Sequence, residues 1–220
     1  RLGGVLVDTS DERGVPLVRT TTSYSQPAAP FTATHLDVAQ RIQQAAGGST
    51  PFNNALIEVY DNAYFKMGMH SDQGLYLDDT SVIALFSCYE RPHLHAPLRR
   101  LVVQAKHGGD VVDIPLAHGS VVVFDAETNR RHKHKIVLDV GHQPPENRWL
   151  GITFRTSKTF IRHTPAGAVF DDGTPLLLAN DHDRQVFFAL RRRENSEVDF
   201  NWPKTWTSTL SPSDLLPPSS

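Results

Sequence analysis

The chain has a single cysteine in 220 residues, no long apolar run and almost no net charge, and each shortage removes a class of protein. With only Cys88 available there is no internal disulfide and no multi-cysteine zinc site. Inside "VIALFSCYE" that thiol reads as a small core residue. No stretch approaches the ~18 to 20 consecutive apolar residues that span a bilayer, and no basic start, apolar middle and small-residue cleavage site mark a secretory leader. The expectation is a soluble intracellular protein, cytoplasmic or nuclear, without a membrane partner. A formal charge of -2 argues against tight, sequence-independent binding to nucleic acid. The first residue is Arg1 rather than Met, which is expected of a chain whose N-terminal part is missing or processed. Internal repeats are absent as well.

What is present is patterned for β structure. At 39% hydrophobic and 21% charged, the chain can bury a sizeable core. Residues 1–33 are rich in Thr, Ser, Gly and Pro, with only "GVLVD" and "VPLVRTTTSY" strand-like, and read as an extended arm or lid. "THLDVAQRIQQAAGG" predicts a helix: Thr34 is placed to cap it, Leu36, Val38, Ala39 and Ile42 form a stripe, and Gly47-Gly48 end it. From Pro51 onward come strand-length runs: "NALIEVY", "SVIALFSCY", "RRLVVQAK", "DVVDIPL", "SVVVFD", "HKIVLDV" and "WLGITFRTS". Turns at Gly108-Gly109, Gly119-Ser120 and Pro144-Pro145 separate them. Strands at this spacing suit a sandwich or barrel, so the expected fold is mainly β (α+β), with a jelly-roll core. Near the end, "DRQVFFALRRREN" predicts an amphipathic helix with Val186, Phe187 and Leu190 inward. The Pro/Ser tail after it is expected along the surface or disordered. The expected layout is one structural domain: arm and packing helix over 1–50, a double-stranded β-helix core over 51–162, and a C-terminal extension over 163–220.

Eleven histidines are more than such a chain needs, and "MGMHSDQGLY" places one beside a carboxylate. His70 and Asp72 lie two apart, so on an extended segment both side chains point to the same face. Two imidazoles and one carboxylate form a facial triad that leaves three positions of an iron ion open. The second imidazole has two candidates, His132 and His134 in "ETNRRHKHKIVL". The pattern alone is weak, since His35 and Asp37 repeat it within the predicted helix. Among Arg130, Arg131, Lys133 and Lys135, the two histidines also read as a solvated basic turn.

The surroundings add what the pair lacks. Phe52, Asn53, Leu56, Ile57, Tyr60, Gly68, His70 and Asp72 stand in order, and "GITFR" supplies Thr153, Phe154 and Arg155 on a late strand. This order resembles the AlkB-like branch of the Fe(II)/2-oxoglutarate-dependent dioxygenases, over roughly residues 15 to 160. The resemblance implies an oxidoreductase using Fe(II), 2-oxoglutarate and O2. His70, Asp72 and His134 would be the metal ligands and catalytic centre; His134 is preferred because it precedes the "KIVL" strand, with His132 as runner-up. Arg155 would pair with a carboxylate of 2-oxoglutarate and Tyr60 would donate a hydrogen bond to it. The family's second arginine falls on Trp149, so Arg148 would serve only through a bulge.

Two departures bear on the substrate. The family's asparagine is Glu58 here, and Gly74 stands where nucleic-acid demethylases of this family carry the acid that reads an alkylated base. Arg19, Tyr24 and Tyr76 are the candidate substrate residues, offering charge and stacking faces for a flipped base. The first expectation is oxidative demethylation or oxidation of a modified base in DNA or RNA. The alternative, favoured by Gly74 and the mild acidity, is hydroxylation of a small molecule or protein side chain on the same fold.

Overall fold

The computed structural model describes residues 1–47, 50–65, 67–94, 98–139 and 146–219. Gly48, Val140 and the Pro144-Pro145 turn lie outside the described residues. In chain order the elements are β1 (Leu2–Val7), β2 (Val15–Pro16), β3 (Ala29–Pro30), α1 (Ala33–Ala46), β4 (Asn54–Tyr60), β5 (Val82–Tyr89), β6 (Arg99–Ala105), β7 (Val111–Pro115), β8 (Ser120–Asp125), α2 (Ala126–Arg131), β9 (His132–Leu138), β10 (Trp149–Arg155), β11 (Phe160–Thr164), β12 (Gly167–Phe170), β13 (Leu177–Leu178), α3 (Asp181–Ser196) and β14 (Ser208–Thr209). The mainly β expectation holds, and the strand-length runs from Pro51 onward fall on β4 to β10.

Two sheets make the core. The larger has six strands in the order β3-β1-β4-β10-β5-β8, and the smaller runs β7-β6-β9. Tyr60, Leu85, Tyr89 and Trp149 of the large sheet pack with Leu101 and Ile136 of the small one and with Leu116, so this cluster lies between the sheets. Alternation along β10 turns Ile152 and Phe154 to the opposite face, where they meet Ala39 and Ile42 of α1. The inward parity carries Trp149, Gly151, Thr153 and Arg155. A Cβ at Gly151 would stand 2.1 Å from the Trp149 ring, so glycine there lets the indole lie across its own strand.

Three expectations are corrected. The first strand of the arm is a strand of the main sheet: Leu2–Val7 pairs antiparallel with β4 along its whole length. The apolar run in "GVLV" buries Val5, Leu6 and Val7, covering both faces of the strand, which an arm free to open would expose. Helix α1 starts earlier than Thr34. Thr32 is the N-cap, its side chain accepting from the His35 N–H while His35 Nδ1 accepts from the Thr32 N–H, and Gly47 closes the helix in the left-handed region. The tail is packed: β14 pairs parallel with β13, Leu210 is buried beside Phe187, and Ser211 Oγ accepts from the Tyr24 N–H at 2.7 Å. Its serines satisfy backbone groups that would otherwise need water. In α3 only Phe187 of the three expected apolar residues is fully buried, alongside Arg191 and Glu194. No helix among the described residues is long and apolar enough to cross a membrane.

Candidate metal centre and its cavity

His134 sits in β9, opposite Val103 of β6, and its main chain bridges to His70. The His70 N–H donates to the His134 carbonyl at 3.0 Å, and the His134 N–H returns to the His70 carbonyl at 2.7 Å. This isolated antiparallel bridge brings two histidines 64 positions apart to a ring separation of 4.8 Å. Asp72, two residues on, faces the same space: His134 Nε2 lies 3.8 Å from its Oδ1. One ligand atom from each of His70, Asp72 and His134 falls within 4.8 Å of the others, a cluster able to hold a metal ion. His132 is outside it. Its Nδ1 donates to the Thr128 carbonyl at 3.0 Å, turning the ring back on α2.

The cluster is prepared for a cation. His70 Nδ1 donates to the Gly68 carbonyl at 2.8 Å, which leaves Nε2 as its lone-pair nitrogen. Burial pushes His134 down to about 4, so its imidazole is neutral at physiological pH, as ligation requires. Burial would raise the Asp72 carboxyl, but the Arg155 guanidinium, and then His134 and His70, outweigh it and hold the acid well below the usual range. Arg155 Nε and Nη2 both donate to Asp72 Oδ2, at 3.0 and 2.8 Å, which leaves Oδ1 turned toward His134.

The loop that carries His70 and Asp72 is fastened from two sides. Asn129 of α2 accepts from the Asp72 N–H at 2.8 Å and donates to the Asp72 carbonyl at 2.9 Å. From α3, Asn195 Oδ1 accepts from the Ser71 N–H, Arg191 Nη2 donates to the Ser71 carbonyl, and Glu194 Oε1 accepts from the Gly74 N–H, at 2.9, 3.0 and 2.8 Å. Positions 191, 194 and 195 share one helix face, so one turn of α3 sets the backbone from Ser71 to Gly74. None of these four residues was singled out from sequence. The available signals were Asp125, whose side chain caps α2 by accepting from Thr128 N–H, and the polar run "RRREN" inside an amphipathic helix.

Beside the cluster is a cavity of about 530 Å³, lined by His70, Asp72, His134 and Arg155 among others. Tyr60, Arg19, Tyr24 and Tyr76 line it too, so the predicted co-substrate and substrate residues converge, with one exception. Arg148 does not reach it. It precedes the regular register of β10, which has no bulge, and lies exposed with its guanidinium on Glu90 at 2.6 and 3.0 Å. Trp149 takes the inward position instead and is 1% exposed. Tyr60 Oη donates to Glu58 Oε2 at 2.6 Å, and Glu58 is also paired with Arg1. Tyr76 forms wall rather than an open stacking face, since its ring packs with Val5, Val7 and Val18.

The donor set suits iron: two imidazoles and one carboxylate are the facial triad of non-haem Fe(II) oxygenases. Arg155 Nη1 is buried in the cavity wall beside this cluster and has no hydrogen-bond partner. The family described as "2OG-Fe(II) oxygenase superfamily" matches residues 5–155. No curated protein matches the chain. Among solved structures it is similar to a full-length Neurospora crassa protein in complex with alpha-KG, at 17% identity and a TM-score of 0.31, over 57% of this chain and 42% of that one. It is similar also to a full-length Neurospora crassa protein in complex with alpha-KG and 5-formyluracil, at 18% identity and a TM-score of 0.30, over 69% and 50%. The matched region thus spans half or less of the length of the chains in these two structures.

Proposed function

This chain belongs to the 2OG-Fe(II) oxygenase superfamily, and from that premise we propose that His70, Asp72 and His134 hold its iron and that Arg155 binds its 2-oxoglutarate. The enzyme is an Fe(II)- and 2-oxoglutarate-dependent dioxygenase. When bound, the metal with 2-oxoglutarate and O2 supplies the oxidising chemistry, the co-substrate leaving as succinate and carbon dioxide. The protein's residues bind, orient and exclude. Arg155 would keep Asp72 Oδ2 occupied so that Oδ1 faces the metal, and present Nη1 to a co-substrate carboxylate. Tyr60 would turn its hydroxyl from Glu58 to the same co-substrate. Trp149 packs behind Tyr60 at 5.1 Å between ring centres, with the rings tilted, and so backs the cavity wall with apolar core.

The motif order from Phe52 to Asp72, continued by Thr153, Phe154 and Arg155, supports placing the chain in the AlkB-like branch. For the substrate we favour a small molecule over a base in nucleic acid. The observation that carries this is at Gly74, whose amide is engaged by Glu194 at 2.8 Å. A Cβ there would meet the same carboxylate at 3.2 Å, and Gly74 is not among the residues lining the cavity. No acid reaches a base from that position. A cavity of about 530 Å³ has room for 2-oxoglutarate and one compact substrate. The second reading, a flipped base, is supported by Tyr24 and Arg19 in the wall.

Succinate release by the purified protein with Fe(II) and 2-oxoglutarate decides between them, with free metabolites in one panel and methylated oligonucleotides in the other. The proposal expects stimulation by members of the first panel and none by the second. Stimulation by oligonucleotides alone would overturn it.

A further inference from the structure

Charge inside the cavity names the substrate more closely. Five arginines line it, Arg1, Arg19, Arg155, Arg191 and Arg192, against two carboxylates, Glu58 and Asp72. Arg1 pairs with Glu58, Arg155 with Asp72, and Arg191 with Glu194 just behind the wall. Among the described residues Arg19 and Arg192 have no ion-pair partner. Arg19 is 4% exposed; its Nη2 donates to the Trp206 carbonyl at 2.6 Å, its guanidinium lies 5.8 Å from the Phe170 ring centre, and its Nε has no partner. Asp214 acts on it only through space, its carboxylate accepting from Thr209 Oγ1. Arg191 Nε, also buried in this wall, is unpartnered too. A buried guanidinium held by one carbonyl keeps most of its desolvation cost.

Filling the metal and co-substrate places does not answer these charges. Two positive charges from Fe(II) meet two negative charges from 2-oxoglutarate, and the Arg155–Asp72 pair is neutral. Arg19 and Arg192 stay without a directly paired carboxylate, Asp214 acting on Arg19 only through space. We infer that the cavity holds a built receptor for an anionic group on the substrate, a carboxylate or a phosphate, with Arg19 as its buried contact and Arg192 as its exposed one. A guanidinium fork matches either oxyanion in plane and offers parallel donors. This rests on reading the cavity as the oxygenase site, and it disfavours alkylated bases that carry a positive charge.

The test uses the whole protein loaded with Mn(II) and the unreactive 2-oxoglutarate analogue N-oxalylglycine, titrated calorimetrically. Phenylacetate, phenyl phosphate and inorganic phosphate are compared with the neutral phenylacetamide. At least one anion should bind saturably and at least tenfold tighter than phenylacetamide, and the stronger of carboxylate and phosphate identifies the group. Arg19→Gln and Arg192→Gln should each reduce that preference at least threefold; if the buried variant fails to fold, the exposed one carries the test. Equal binding of phenylacetamide, or a preference unchanged in Arg192→Gln and in any folded Arg19→Gln, overturns the inference. Failure of Mn(II) and N-oxalylglycine to bind the wild type is a separate result, which overturns the oxygenase-site reading beneath it.

Discussion

Replacing Asp72 by asparagine should both destabilise the metal-free protein and remove its response to metal. The Asp72 carboxylate and the Arg155 guanidinium are 8% and 7% exposed as side chains, joined by two hydrogen bonds of 3.0 and 2.8 Å. Charge-assisted bonds contribute about 1.5–3 kcal/mol each and neutral ones about half that. The asparagine variant would lose about 2–3 kcal/mol at the pair and leave Arg155 buried without a counter-charge, which brings the cost to the ~3–5 kcal/mol of breaking a buried ion pair. For a chain of 220 residues, at about 2–4 °C per kcal/mol, the midpoint should fall by roughly 6–20 °C in thermal unfolding followed by circular dichroism. Asp72→Asn combined with Arg155→Met should recover most of that loss, because neither charge is then stranded. Mn(II) at about a hundred times its Kd should stabilise the wild type by ~2.7 kcal/mol and leave Asp72→Asn unmoved. A variant that melts with the wild type and still responds to Mn(II) would refute the placement of Asp72 at the metal and the energetic weight given to its pair.

Three other outcomes follow from the geometry. Arg148→Ala should leave 2-oxoglutarate affinity, measured by titration of the Mn(II) form, equal to wild type, because that side chain is exposed on Glu90; weaker binding would mean that β10 shifts to admit it. Gly151→Ala should cost at least ~1–3 kcal/mol in urea unfolding, since its Cβ would overlap the Trp149 ring; an undisturbed midpoint would contradict that packing. Asp214 is raised by burial from 3.8 to about 6, so its favourable contribution is complete below about 4 and lost as pH rises through 6. Wild-type stability relative to Asp214→Asn should therefore fall by about 2–3 kcal/mol between about pH 4 and 7, and a flat difference would show that the group titrates normally.

Strand-length apolar runs between turn residues made the strands legible, and the signal held even for β7, whose Val111 and Val112 are exposed. The triad was legible only through order along the chain. Within "HKHK" only its place before "KIVL" favours His134 over His132; the bridge to His70 is what brings it beside Asp72, and that contact belongs to the fold. Helix α2 went unseen because six residues between two strands give no periodicity to read. The tail read as a surface or disordered segment because its composition is that of a solvated one, while its serines serve as hydrogen-bond partners for Tyr24 and for one another. Arg191, Glu194 and Asn195 were hidden for a different reason. They act on the ligand loop from far along the chain, and only packing of α3 against residues 71–74 reveals the role. The second arginine showed the converse error: a motif slipped by one residue suggested a bulge, and the regular register of β10 gave the place to Trp149.

Succinate release from Fe(II) and 2-oxoglutarate in three single variants tests the assignment of the centre most directly, because two of the histidines lie two residues apart and only one faces Asp72. His70→Ala and His134→Ala should abolish both succinate release and the Mn(II)-dependent rise in melting temperature, while His132→Ala keeps both. Retained turnover in His134→Ala, with loss in His132→Ala, would contradict the account.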